Sequence, residues 1–330
     1  LIYNSYPKFA ADQIFKWIYK DFEIDPNNWS NISKALRSHI IKSISTTLPK
    51  IKIDLLSKDG TRKFLVEFED KNCVETVAIP GKDDRLTFCL SSQVGCCIGC
   101  TFCNTATQGL TRHLATSEIV GQFMAVTLWL QNNVDSNIRA TNIVFMGQGE
   151  PLHNFESVKN ATLVFLEDKG LMLSQRRVTL STSGLVPQIE KLNEFPPVNI
   201  AISLHAAHDD IRSELMPINE VYNLKRLFQA IKTIKLKAHR SITYEYLLIK
   251  DLNDRQIDVN ALVKLLDKKL SKINLIPFNE FPGSKFQCPT DERLEWFKDQ
   301  LLNRGFLCTV RLSKGQDIMA ACGQLKSSST

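Results

Sequence analysis

Three cysteines in one short loop dominate the chemistry this chain can do. Cys96, Cys100 and Cys103 follow a Cys-x3-Cys-x2-Cys spacing within Cys96-Cys97-Ile98-Gly99-Cys100-Thr101-Phe102-Cys103. A closed iron–sulfur cubane takes a thiolate on each iron. Three thiolates leave one iron open, free to chelate an amine and a carboxylate of a ligand. Structural zinc would take four ligands in paired spacings, and no His or Cys follows at a fitting distance. Cys97 adds a further sulfur, but adjacent residues rarely reach one metal together. The loop therefore reads as a three-ligand cluster site.

A second constellation lies at Gly147-Gln148-Gly149-Glu150-Pro151. It lacks the third glycine of a dinucleotide fingerprint, and Pro151 disfavours a helical Glu150. The glycines let backbone approach a ligand closely, and Glu150 can accept hydrogen bonds from a cationic amine. Ser181, Ser203 and Asn279 are short polar groups suited to a carboxylate and a ribose. His205 reads first as a structural hydrogen bonder.

These residues need elements to hold them. Apolar runs at 86–90, 142–146, 177–180, 199–204, 242–248 and 272–277 read as strands. Between them 116–131, 154–167, 224–236 and 259–270 carry helical periodicity. Alternation of this kind predicts an α/β fold with a parallel sheet, a partial (β/α)6 barrel. Ligands of such folds bind at the carboxyl ends of the strands. The cysteine loop, the Gly-rich turn, Ser181, Ser203-Leu204-His205 and Asn279 all fall at strand ends, so they should converge on one mouth. Two helical segments and a strand pair precede Pro80-Gly81-Lys82-Asp83-Asp84. They predict a small α+β unit over residues 1–80, with the core at 81–330.

Composition narrows the class. The 330 residues are 43% hydrophobic and 23% charged, enough for a sizeable core. No apolar run is long enough to span a membrane. Nine cysteines, an odd number clustered around one loop, argue for metal or catalytic sulfur in a reducing compartment, the cytoplasm, over a disulfide framework. The net charge is +6. Residues 30–63 hold eight Lys/Arg against two Asp, and residues 221–244 hold six Lys/Arg and no acid. Such stretches suit phosphates or solvated helix faces equally well.

Five motifs together resemble the radical-SAM RNA adenine methyltransferases, the RlmN/Cfr family. They are Leu90-Ser91-Ser92-Gln93-Val94-Gly95-Cys96, Phe145-Met146-Gly147-Gln148-Gly149-Glu150-Pro151-Leu152, Ser203-Leu204-His205-Ala206, Leu215-Met216-Pro217-Ile218-Asn219 and Asp317-Ile318-Met319-Ala320-Ala321-Cys322-Gly323-Gln324-Leu325. The resemblance implies a 4Fe-4S cluster on Cys96, Cys100 and Cys103. It implies two S-adenosylmethionine (SAM) molecules per turnover, bound by Gly149, Glu150, Ser181, Ser203, Leu204, His205 and Asn279. It implies that Cys322 first takes a methyl group, that a deoxyadenosyl radical then takes a hydrogen from it, and that the methylene radical adds to adenine. Glu75 would accept the ring proton, and Cys89 would resolve the adduct by forming a disulfide with Cys322. The implied substrates are 23S rRNA, at the peptidyl-transferase centre, and tRNA, at the adenosine 3′ of the anticodon. The implied electron donor is a flavodoxin or ferredoxin, and the expected state is a monomer.

Pro277-Phe278-Asn279-Glu280-Phe281-Pro282-Gly283 resembles the C2-directed branch. A C8-directed rRNA enzyme of the Cfr type, or a non-catalytic metal-containing RNA binder, would be the alternatives. Three positions depart from the family pattern: Lys314 where a second Arg is usual after Arg311, Gln148 where Met is usual, and Cys97 at a variable position.

Overall fold

The structure, a computed structural model, describes residues 6–327; residues 1–5 of the expected N-terminal unit and residues 328–330 lie outside it. Ten strands form one sheet. In chain order its strands are β1 (Lys50–Leu56), β2 (Arg62–Glu67), β3 (Cys73–Pro80), β4 (Leu86–Cys89), β7 (Asn142–Phe145), β8 (Val178–Thr182), β9 (Asn199–Ser203), β10 (Ile242–Leu248), β11 (Ser271–Pro277) and β12 (Leu307–Val310). A separate ribbon pairs β5 (Gln93–Gly95) with β6 (Leu110–His113). The sheet order follows the chain from β1 to β12. Pairing is antiparallel through β1–β4 and parallel from β4 to β12.

The six expected parallel strands are present, and β12 adds a seventh to the open barrel sheet. Central parallel strands are covered on both faces, and β10 shows it: all its residues but Thr243 are buried. Helices Thr116–Asn133 and Phe155–Leu166 cover the outer face. Phe88 and Phe123 meet at 5.3 Å, and Phe123 and Phe165 at 5.3 Å, forming an aromatic seam in the core. The helix expected over 224–236 ends at Ile231.

The N-terminal region divides differently from expectation. Helices Lys8–Tyr19 and Lys34–Ser43 surround a small core of their own, built on Ala10, Trp29, Ile32, Leu36 and Ile40. The strands before residue 80, however, belong to the main sheet, because β3 pairs directly with β4. Residues 50–80 thus share a sheet with the segment beyond residue 81. Strand β1 was not among the expected elements. Its Lys-Ile-Lys-Ile alternation was a legible signal, but the strand sits at the sheet edge and is almost wholly exposed. Edge strands carry charges that discourage further pairing, so Lys50, Lys52 and Asp54 there make it look like a loop. No helix among the described residues is long and apolar enough to cross a membrane.

Candidate active site

The cysteine loop does not hang directly from β4. The β5–β6 ribbon pinches its neck: Gln93 faces His113, Gly95 faces Leu110, and the Cys96 amide donates to Gly109 O at 2.8 Å. Gly95 makes this closure possible. Its φ is +74°, and a Cβ there would lie 1.8 Å from Gly109 O. Within the loop, the Thr101 amide donates to Leu215 O at 3.0 Å and its hydroxyl to Glu214 O at 3.0 Å. The loop is therefore tied to the helix Asp209–Leu215.

Cys96, Cys100 and Cys103 line one cavity together with Gly147, Gly149, Glu150, Ser181, Ser203, His205 and Cys322. Burial pushes the Cys96 thiol up to about 12 and raises Cys100 and Cys103 as well; charge on the neighbouring cysteines pushes each in the same direction. Three thiolates in a dry wall repel one another and need a cation to offset them. An iron–sulfur cluster supplies that positive charge, so the donor set fits one. The described residues bring no three His, Cys, Asp or Glu side chains together tightly enough for a single metal ion.

Behind the loop lies Arg212, which the sequence reading missed. It is fully buried. Its Nε donates to Leu204 O at 3.1 Å, Nη1 to Asn219 Oδ1 at 2.9 Å, and Nη2 to Ser183 O at 2.8 Å and Ser203 O at 3.2 Å. Burial lowers its pKa to about 10, with Cys100 and Asp209 opposing, so it stays protonated at neutral pH. One cation thus staples the ends of β8 and β9 and sits at the back of the cysteine wall. An arginine among Asp209, Asp210, Ser213 and Glu214 reads in the linear sequence as part of a solvated helix face.

Glu150 is buried in the opposite wall. Its Oε1 accepts from the Leu152 amide at 2.9 Å and its Oε2 from the Ser183 amide at 2.7 Å. Burial raises its pKa, and these amides oppose the rise. The Ser183 hydroxyl beside it is buried, has no well-formed hydrogen bond of its own among the described residues, and lies near enough to Glu150 to help lower that carboxyl's pKa. Gly149 has φ +100°, and a Cβ there would lie 2.6 Å from the Gln93 Cβ. Gln93 in turn accepts from the Glu150 amide at 2.8 Å. Gly149→Ala is expected to cost about 3 kcal/mol from backbone strain and overpacking, read by chemical denaturation; an unchanged midpoint would remove the need for glycine.

His205 occupies the left-handed region at φ +57°. Its Nδ1 accepts from the Leu247 amide at 3.0 Å. That contact fixes the neutral tautomer with the proton on Nε2. Burial, and then Arg212, lowers its pKa to about 3 from 6.5. The unfolded chain therefore takes the proton first as pH falls. Stability should drop by about 1.4 kcal/mol per pH unit from this residue once pH falls below 6.5. Denaturation at pH 7 and pH 5 checks it: the difference should shrink in His205→Gln.

Several of the expected contact residues are engaged by the protein itself. The Leu204 side chain is packed in the main core, and its amide and carbonyl are taken by Glu245 O and Arg212. Asn279 holds the C-terminal loop: its Nδ2 donates to Cys322 O at 3.0 Å and its Oδ1 accepts from Gln316 at 2.9 Å. The Ser181 hydroxyl donates to Glu245 Oε2 at 3.0 Å. Glu75 is buried beside the C-terminal segment, where it pairs with Lys63 at 2.9 Å and accepts from the Lys326 amide at 2.7 Å.

The loop bearing Cys322 is clamped on two sides. The Asn104 amide donates to Gly323 O at 2.7 Å and the Thr105 hydroxyl to Leu325 O at 2.7 Å, tying it to the cysteine loop. From the N-terminal hairpin, Lys63 donates to Met319 O at 3.1 Å, and the Gly315 amide donates to Asp59 at 3.0 Å. Cys322 faces the cavity and also a narrow cleft that it shares with Cys89, Met146, Asn279 and Arg311. Burial and then Cys322 push the Cys89 thiol up to about 12, while Arg311 opposes. Gln148 is more than packing: its Oε1 accepts from the Glu75 amide at 3.0 Å and its Nε2 donates to Gln108 and Ser327, each at 3.0 Å. Cys97 is exposed, 3.4 Å from His153 Nδ1.

Residues 90–261 match the Radical SAM superfamily, and residues 5–45 match the Ribosomal RNA large subunit methyltransferase N-terminal domain. The chain is 45% identical to the Dual-specificity RNA methyltransferase RlmN of Nitratiruptor sp., covering 98% of this chain and 94% of that one. It is 45% identical to the enzyme of the same name from Syntrophotalea carbinolica, over 97% and 84% of the two chains. Among solved structures, a radical SAM methyltransferase from Sphaerobacter thermophilus superposes with a TM-score of 0.89 at 38% identity, over 99% of this chain and 95% of that one.

Proposed function

Because this chain belongs to the radical SAM superfamily, and within it to the RlmN family of dual-specificity RNA methyltransferases, we propose that it methylates C2 of adenosine in RNA. The substrates we assign are 23S rRNA at the peptidyl-transferase centre and tRNA at the adenosine 3′ of the anticodon. Membership brings SAM and an iron–sulfur cluster; the ligands assigned to the cluster are Cys96, Cys100 and Cys103. When bound, these groups supply an electron, a methyl group and a radical able to abstract hydrogen.

The observation that carries the reading is that one cavity joins the cysteine trio to Cys322, with Cys89 on the adjoining cleft. Cys322 sulfur carries the methyl group and, after hydrogen abstraction, bonds through its methylene to adenine. Glu75 accepts the ring proton, and the unpaired electron left on the ring would pass to the iron–sulfur cluster that Cys96, Cys100 and Cys103 would hold, leaving a closed-shell thioether. In the present arrangement both Glu75 oxygens are engaged, so its role requires the Lys326 backbone to move. Cys89 thiolate then attacks Cys322 sulfur. The S–S bond forms as the S–CH2 bond breaks, and the electron pair left on carbon takes a proton. Glu150 and the Ser183 hydroxyl receive the polar end of SAM, and His205 offers a neutral N–H donor. A flavodoxin or ferredoxin supplies the electron, in the cytoplasm, to a monomer. The N-terminal helices, with the exposed Lys34 and Lys42, meet RNA phosphates.

The test is anaerobic. Iron-loaded protein, a reductant, SAM and RNA are combined, and the nucleosides are read by mass spectrometry. 2-Methyladenosine is the expected product. 8-Methyladenosine would move the chain to the Cfr-type branch, and a colourless protein that binds RNA without altering it would leave a binding module.

A further inference from the structure

Arg311 directly follows β12, the last strand of the sheet, where a side chain is free to face solvent. The structure turns it inward instead. Its Nη1 lies 3.1 Å from Met146 Sδ and 3.8 Å from Glu245 Oε1, and its side chain is 28% exposed. It lines the cleft shared by Cys89 and Cys322. The charge of Cys322 is the largest influence raising its pKa; burial opposes, and Glu245 and Cys89 add to the rise. Four elements therefore bring charge or sulfur to one point: β4 with Cys89, β10 with Glu245, the end of β12 with Arg311, and the C-terminal loop with Cys322. Lys314 lines the same cleft.

We propose that Arg311 is a positioning residue for sulfur exchange between Cys89 and Cys322, its guanidinium serving as counter-charge to the attacking thiolate and partly offset by Glu245. The role rests on the methyltransferase reading for its use, but not for its chemistry. Only a thiolate attacks sulfur, and burial alone makes the Cys89 thiolate scarce. A guanidinium stays charged at every working pH. An opposite charge within a few ångströms favours the ionised sulfur.

Full-length protein without RNA or SAM is treated with oxidised dithiothreitol. That reagent takes up two electrons and two protons as Cys89 and Cys322 lose theirs and join in one disulfide. Peptide mass spectrometry follows the Cys89–Cys322 link against time and pH. Arg311→Met is expected to slow its formation about tenfold at pH 7.5, the equivalent of one pKa unit, and to move the rise in rate to higher pH. Arg311→Lys, which keeps the charge, should stay within about threefold of the parent. Glu245→Gln, which keeps the arginine and removes an opposing carboxylate, should speed the exchange. An Arg311→Met protein with the parent's rate and pH profile overturns the proposal. So does slowed exchange in Glu245→Gln, even if Arg311→Met does not fold. Weakened tRNA binding in Arg311→Met at unchanged exchange would make Arg311 a phosphate contact and overturn it too. Because neither RNA nor SAM is present, failure here leaves methyl transfer untouched, and failure of methyl transfer leaves a normal exchange result standing.

Discussion

A Cys89→Ala protein is expected to halt with its RNA covalently attached to Cys322, giving less than one released product per chain. The adduct would be seen as a protein–RNA species surviving denaturation and digestible by nuclease. The reason is sulfur supply. Cys89 is the second cysteine on the cleft that holds Cys322, and the buried Cys73 and Cys308 belong to other strands, β3 and β12. Without Cys89 the other sulfurs near Cys322 are Cys96, Cys100 and Cys103, which a bound cluster would engage, so the S–CH2 bond persists. Repeated turnover by Cys89→Ala at the parent's rate would sink the resolving role. The companion change Cys322→Ala should give neither product nor adduct, because the sulfur that would carry the methyl group is gone.

The second large effect falls on the cluster loop. Cys96→Ala, Cys100→Ala and Cys103→Ala should each lower iron content far below that of the parent and bring reductive SAM cleavage beneath detection. All three thiols resist ionisation because they are buried near one another. Metal ions must therefore displace protons in order to bind. Reconstitution with iron and sulfide should accordingly release protons and run faster at pH 8.5 than at pH 7. Cys97→Ala should keep its iron, since Cys97 points away to His153 at the exposed rim. Full iron content in the Cys100→Ala protein, or none in Cys97→Ala, would reassign the ligands.

Local chemistry was legible in the linear chain wherever a residue's type and near neighbours fix its job. The Cys96-x3-Cys100-x2-Cys103 spacing, Gly149 before Glu150, and the repeated strand–helix alternation are all short-range patterns. They predict that the cysteine loop, the Gly-rich turn and the strand-end polar groups face one mouth, and Cys96, Cys100, Cys103, Gly149, Glu150, Ser181, Ser203 and His205 do line one cavity. The parallel sheet followed for the same reason, since hydrophobic periodicity is a local consequence of burial.

What the chain alone could not give are the contacts that close over long sequence distances. Arg212 holds the ends of two strands through carbonyls, which no side-chain pattern encodes. Glu245 and Arg311 are separated by 66 positions yet lie 3.8 Å apart, with Arg311 on the cleft that holds Cys89 and Cys322. Asn279 looked like a ligand contact because it ends a strand, but the C-terminal loop reaches it first. Strand β3 joins β4 across the expected boundary because an antiparallel neighbour satisfies the backbone groups β4 would otherwise leave bare. Side-chain type sets what a residue can do; which partner arrives to use it depends on how the chain returns, and backbone hydrogen bonding and burial decide that only once the whole sheet is assembled.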